Sequence, residues 1–353
     1  MPTRRRRASI RGQAGTPCIC GEYWQTSRRF NGEEEMMNNR MLTADDCRSV
    51  LVVAITPRLP DRSVDLVGVR GNVRHLVDRG VDFLMPECGT GLVYDAELGE
   101  YEAVVAAFMD EAGGDALVVP GIGPGYGRSL EMGRIARNLG VAGVMIMPVV
   151  GPASAGGVTV GIGNLVERVG LPTILYQRRL DIMPPDQVSD LCRLDGVVGL
   201  KYAVDDIGVF RRIATAAGSE AAMICGMAED PCIEYMESGA VGFSSGMANF
   251  TPRLSLRLLS SFQAGDRAEA ERIRQLMLPF EDFRGENGGR YSASALHAAM
   301  DCAGLAGGPV IPFAENVAEE DLPRVGAMMD TLLAEEGLLE KEASAGVNGG
   351  ARG

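Results

Sequence analysis

Eight short apolar runs, each followed by a segment of mixed or helical period, occupy the chain between residues 50 and 250. They fall at 50–55, 81–86, 116–120, 142–147, 172–176, 197–201, 222–225 and 240–244. Continuous apolar runs of this length suit strands buried on both faces, as parallel strands are. Amphipathic stretches lie between them, among them 66–78, 100–111, 128–139, 161–169, 207–216 and 231–238. Gly or Pro punctuates most junctions. Successive runs are roughly 20 to 35 residues apart, room for one strand, one helix and two short loops. Eight such units predict an α/β fold, a single (β/α)8 TIM barrel rather than an open doubly wound sheet. Helical patterns then continue at 254–263, 268–278, 293–303 and 322–336. A minimal barrel needs only one of these, so the remainder predicts a C-terminal helical extension packed on the barrel. The expected partition is a disordered extension at 1–47, the barrel at 48–250, helices at 251–340 and a disordered tail at 341–353.

Composition narrows the function. Length alone, 353 residues, admits one large domain or two medium ones, and 46% hydrophobic content predicts a well-buried core. A formal charge of −13 disfavours nucleic acid or an anionic membrane as a partner, since either asks for a basic face. No apolar stretch reaches membrane-spanning length. Eight cysteines show no paired metal-type spacing beyond Cys18 and Cys20, which suits reduced thiols in a cytoplasmic enzyme. Only His75 and His297 are histidines, so neither a His-based triad nor a multi-histidine metal site is expected. Arg4 to Arg7 open the chain as an export signal does, yet no apolar segment follows. The stretch is read instead as an extension, or as a start placed before Met37 or Met41.

Lys201 closes the run 197–201, and Tyr176 closes 172–176 in the same way. In a parallel barrel all strand C-termini open onto one face, and that face carries the chemistry. An amine and a phenol delivered there point to imine chemistry on a carbonyl substrate. A lysine leaving a strand can also simply snorkel to solvent, and a tyrosine can be a half-buried rim aromatic. A free lysine, with pKa about 10.4, is protonated and poorly nucleophilic at neutral pH, and partial burial at the mouth would free its lone pair. Gly89-Thr90-Gly91 follows the second run, where backbone N–H groups and a hydroxyl suit a carboxylate; a tight turn explains the same residues. Gly121-Ile122-Gly123 resembles half a dinucleotide fingerprint in the wrong context, so turn chemistry is the better reading.

Six segments in order resemble the dihydrodipicolinate synthase/N-acetylneuraminate lyase superfamily of Schiff-base lyases, over roughly residues 48 to 330. They are Ile55-Thr56-Pro57; Cys88-Gly89-Thr90-Gly91 with Glu100 beyond; Val119-Pro120-Gly121-Ile122-Gly123; Leu171 to Tyr176; Val198-Gly199-Leu200-Lys201 with Asp205-Asp206; and Gly239 to Pro252. The resemblance implies that Lys201 forms an imine with a 2-oxo acid and that Tyr176 assists proton transfer. It implies that Gly89, Thr90 and Gly91 hold the substrate carboxylate, and that Ser244 and Ser245 line the site near the imine. No metal and no organic cofactor is implied, and the assembly is a homotetramer or homodimer.

Departures from the family pattern refine this. Many members carry Thr-Thr-Gly-Glu where this chain has Gly89-Thr90-Gly91-Leu92, and Pro-Tyr-Tyr where it has Pro148-Val149-Val150. The usual Tyr-Thr-Tyr relay cannot be assembled, which argues against dihydrodipicolinate synthase itself. The glycine before Thr90, Arg178 after Tyr176, and Gly308-Pro309-Val310-Ile311-Pro312 are similar to the 5-dehydro-4-deoxyglucarate dehydratase-like branch. That branch usually has Glu at the position of Leu92 and Asn at that of Gln177. Arg178 or Arg179 suits a second substrate carboxylate, since a guanidinium grips one bidentately; ordinary surface charge is the alternative. The expected function is a lysine-dependent aldolase or dehydratase acting on a 2-keto-3-deoxy sugar acid. A member that binds such acids without turnover remains the alternative, and a flavin- or phosphate-binding barrel is disfavoured by Glu229 and Asp230 after the seventh run.

Overall fold

The computed structural model describes residues 40–349, with side chains to 344. Nine parallel strands form one sheet: β1 (Val50–Val53), β2 (Phe83–Met85), β3 (Leu117–Val118), β4 (Gly121–Ile122), β5 (Val144–Ile146), β6 (Thr173–Gln177), β7 (Val197–Tyr202), β8 (Ala222–Cys225) and β9 (Gly242–Ser245). The hydrogen-bonded order is β3-β2-β1-β9-β8-β7-β6-β5-β4. Its two ends, β3 and β4, are halves of one continuous stretch, so the sheet curls into a barrel of the TIM type. Eight predicted strands become nine because the third is interrupted at Pro120, which has no N–H to give a ladder. Neighbouring bonds carry closure across the gap: Val119 and Gly121 N–H donate to Leu84 and Pro86, at 2.8 and 3.1 Å, while Met145 N–H donates to the Pro120 carbonyl at 2.9 Å.

A helix follows each barrel strand: α1 (Leu66–Val77), α2 (Leu98–Ala112), α3 (Tyr126–Asn138), α4 (Ala155–Val169), α5 (Pro185–Cys192), α6 (Ile207–Ala217), α7 (Cys232–Glu237) and α8 (Pro252–Gln263). Asp65, Ser154 and Asp206 cap α1, α4 and α6 through side-chain oxygens that accept from the first turn. Because α8 completes the eighth unit, the appendage starts after it, with α9 (Arg267–Gly289), α10 (Ser294–Cys302) and α11 (Leu322–Gly349). The backbone leaves helical geometry at Glu286, Asn287 and Gly288, where α9 breaks. Glu336 of α11 accepts from the N–H groups of Arg253 and Leu254, both at 3.0 Å. A carboxylate from the appendage thus caps the free N-terminus of α8, where the helix dipole favours negative charge.

The expected extension and tail overlap the described residues at both ends. Leu42 and Cys47 are buried, and Leu42 N–H donates to Ala142 at the foot of β5, at 2.9 Å. Single apolar residues among polar ones carry no period, so this packing left no pattern to read. At the other end α11 runs as helix to Gly349. Arg4 to Arg7, Cys18, Cys20, Met37 and residues 350–353 lie outside the described residues. Among the described residues every cysteine is free, and no helix is long and apolar enough to cross a membrane.

Candidate active site

Backbone register brings Lys201 and Tyr176 together: they are directly paired residues of β7 and β6. The next residue, Tyr202, points to the other side of its strand, as strand alternation requires. There its ring packs against Phe210 of α6 and Tyr235 of α7, with centroids 5.4 and 6.1 Å away. That anchoring holds Lys201 facing inward. Its Nζ lies 3.8 Å from the centroid of the Tyr176 ring and 3.4 Å from the Gly226 carbonyl, to which it donates. Lys201 is only 5% exposed. Burial pushes the Tyr176 phenol up, but the charges of Lys201 and Arg178 outweigh it, and its pKa falls below the ordinary value.

Both side chains line a cavity of about 420 Å³ at the C-terminal mouth of the barrel. Gly89, Thr90, Arg178 and Ser244 line it too. The remaining expected site residues, Gly91 and Ser245, do not. A Cβ on Gly91 would sit 3.1 Å from Thr56 Oγ1, so this glycine serves close packing behind the loop. Ser245 alternates away from Ser244 on β9, and its hydroxyl donates to buried Glu229 at 2.5 Å. The Thr90 hydroxyl also differs from expectation. It donates to the carbonyl of Val53 at 2.7 Å, so its proton belongs to the end of β1. The N–H groups of Gly89 and Thr90 meet no acceptor among the described residues and remain for an anion. Asn249 braces the same corner, accepting from Ile55 N–H and donating to the Val53 carbonyl, at 3.1 and 2.9 Å.

The two arginines after β6 separate. Arg178 sits exposed at the cavity rim, whereas Arg179 is paired with Asp181 at 2.6 Å and lines no part of it. Gln177 is fully buried and donates to the Met183 carbonyl at 2.7 Å, shaping the loop that carries Arg178. Gly121 and Ile122 form strand β4 rather than the expected turn, and what requires glycine at 121 is close packing. A Cβ there would lie 2.3 Å from the Glu87 carbonyl, a distance only glycine avoids. Val149 and Val150 border a separate groove between α3 and α4.

Several lining residues carried no signal in the sequence. Tyr94 comes from the loop after β2; burial, then the nearby Tyr176, raises its pKa. Cys88, already read in the Cys88-Gly89-Thr90-Gly91 motif, lies beside it, its thiol pushed up to about 12 by burial. Glu281 and Arg284 reach the cavity from α9. Beneath the floor, Glu87 is buried at the end of β2 and accepts from Thr56 Oγ1 at 3.0 Å. Burial lifts its carboxyl to about 7. Among the described residues no three His, Cys, Asp or Glu side chains converge as a metal cage. What the arrangement offers is a buried amine against a phenol, an anion-ready turn and a rim guanidinium.

Comparison with known proteins identifies the family and the fold. Residues 46–331 match the family described as the dihydrodipicolinate synthetase family. A Streptomyces avermitilis protein named "Probable 5-dehydro-4-deoxyglucarate dehydratase 1" is 28% identical over 298 residues, covering 82% of this chain and 95% of that protein. A Methylobacterium radiotolerans protein named "Probable 5-dehydro-4-deoxyglucarate dehydratase" is 30% identical, covering 74% and 88%. The crystal structure of dihydrodipicolinate synthase from Bacillus clausii superposes with a TM-score of 0.78 at 29% identity, over 82% of this chain and 98% of that one. A Ruminococcus gnavus sialic acid aldolase with its catalytic lysine mutated superposes with a TM-score of 0.77 at 17% identity, over 86% and 99%, a likeness of fold alone.

Proposed function

The chain belongs to the dihydrodipicolinate synthetase family, and from that premise we propose that it is a Schiff-base lyase acting on a 2-keto-3-deoxy sugar acid. Members of the family are lyases of the class I aldolase and dehydratase type. The observation that carries the finer reading is the buried Lys201 amine, held 3.8 Å from the centre of the Tyr176 ring inside the cavity. The 5-dehydro-4-deoxyglucarate dehydratases among its relatives support the substrate class.

In this mechanism the Lys201 lone pair attacks the C2 carbonyl, and the carbinolamine loses water to give a protonated imine. Tyr176, held toward its phenolate by neighbouring cations, first takes a proton from the Lys201 ammonium and so frees the lone pair; after the attack it returns that proton to the departing hydroxyl, which leaves as water. The cationic imine then draws in an electron pair from C3, either by loss of a C3 proton or by cleavage of the C3–C4 bond. In the first route the Tyr176 phenolate takes the C3 proton and passes it to the C4 hydroxyl, which the enamine expels as water, and the enzyme is a dehydratase. In the second it is an aldolase. Gly89 and Thr90 N–H groups hold the C1 carboxylate, and Arg178 at the rim receives a second one. No cofactor takes part. The enzyme is a cytoplasmic homo-oligomer in this reading, and the apolar groove at Val149 and Val150, where Val150 stands 64% exposed, supports its association with a second copy.

The test is borohydride trapping with a panel of 2-oxo acids, read by intact mass. Only two lysines exist in the chain, Lys201 and Lys341, so the adduct has two possible lysine positions besides the N-terminal amine. An adduct that disappears in Lys201→Ala supports the reading. If the folded protein labels with none of the acids, the lyase assignment fails and ligand binding without turnover takes its place.

A further inference from the structure

The helical appendage contributes its own stretch of cavity wall. Arg284 and Glu281, one turn apart on α9, each expose only 13% of their side chains, and both face the space that Lys201 lines. Two hydrogen bonds and one packing contact fix the guanidinium. Nη1 donates to Glu281 Oε1 at 2.7 Å, and Nε donates to the Ser292 carbonyl at 3.0 Å. Its back lies against Gly246, where a Cβ would sit 3.4 Å from Nη2. The third contact is therefore one of packing at the end of β9, next to Ser244. Among the described residues Nη2 meets no acceptor, and Glu281 Oε2 meets no donor. The pair thus presents one N–H edge and one carboxylate oxygen, side by side and already oriented.

We propose that the Glu281–Arg284 pair is the specificity-determining subsite for the hydroxylated chain of the substrate. Nη2 donates to a hydroxyl oxygen and Oε2 accepts a hydroxyl proton. This deepens the lyase reading and rests on it. The pair is neutral as a unit, so a carboxylate brought to it meets the charge of Glu281 as well as that of Arg284. A hydroxyl, both donor and acceptor, satisfies each half. Arg178, on the loop after β6 and without an acidic partner among the described residues, is the better seat for a carboxylate. A cavity of about 420 Å³ is in the range that encloses ligands larger than a three-carbon acid. An acid lacking the hydroxyls leaves two nearly buried polar groups unpaired, and sites of that kind discriminate strongly.

The experiment compares half-saturation for imine trapping with pyruvate and with 2-keto-3-deoxygluconate, in wild type, Glu281→Gln and Arg284→Met. Wild type is expected to prefer the hydroxylated acid, and each variant to lose that preference by tenfold or more. Glu281→Gln is nearly isosteric and keeps the test open should Arg284→Met fail to fold. Equal weakening toward both acids, or no change in the ratio, overturns the proposal while leaving the imine intact. Absence of any adduct in folded wild type overturns the lyase reading, and this proposal with it.

Discussion

Lys201 and Tyr176 enter the cavity from adjacent strands, whereas Glu281 and Arg284 enter from a helix outside the barrel, and different forces hold the two pairs. The strand pair is set by backbone ladder bonds and by the Tyr202–Phe210–Tyr235 cluster behind it. The helix pair depends on side-chain bonds and on how the appendage docks, including the Glu336 cap on α8. Ladder geometry has little freedom, so the Lys201–Tyr176 end of the cavity is set by the backbone, while side-chain bonds set the Glu281–Arg284 wall. Under the proposed function this difference is a division of labour: chemistry from the strands, selection from the helices.

The sharpest way to break that division is Lys201→Ala, expected to abolish imine trapping and to lower turnover on the order of 10⁴-fold or more. Residual lysine-dependent labelling at Lys341 would place the chemistry elsewhere. Tyr176→Phe removes the proposed proton carrier and keeps the ring under the amine, so kcat should fall about 10²- to 10³-fold with little change in half-saturation. A KM effect instead would move Tyr176 to the selecting half.

Glu87 tests the support beneath the strand half. Its carboxyl ionises near 7 when folded, chiefly because it is buried, against an ordinary value of 4.5. The folded protein then holds a proton that the unfolded chain has released. This group's stabilising contribution is full below about pH 4.5, falls as pH rises to about 7, and is flat above. The integrated loss is roughly 3 kcal/mol. Glu229 acts with the same sign, so the measurement is the difference between wild-type and Glu87→Gln melting temperatures across pH 4.5 to 7. Their curves should converge at the acid end, and parallel curves would refute the buried proton. The smallest effect is on the helix half. Glu336→Ala leaves two N–H groups of α8 without their acceptor and should cost about 2 kcal/mol in urea unfolding, with trapping of pyruvate unchanged.

Much of the strand half was legible beforehand. The run 197–201 became β7 and 172–176 became β6, each within a residue or two, because continuous apolarity is a local property. Helix α5 was not legible, since its eight residues open on Pro184-Pro185 and span barely two turns. Three readings needed spatial context. Ser244 and Ser245 are equivalent in the chain, and only the facing of β9 sends one to the cavity and the other to Glu229. Arg178 and Arg179 are likewise adjacent, and Asp181 claims the second. Thr90 has the right chemistry for a carboxylate, but the Val53 carbonyl is nearer.

By itself the sequence determined the repeating β-then-α order, the parallel barrel that follows from it, and the amine and phenol at two strand ends. These rest on periodicity and on strand length, which neighbouring residues decide among themselves. Only the tertiary structure decided that the third strand breaks yet closes the barrel, and that Glu281 and Arg284 complete the cavity wall. Convergence of that kind joins residues some eighty positions apart from Lys201 in the chain. It depends on the angle and depth at which α9 docks, and those come from side-chain packing that no local pattern encodes.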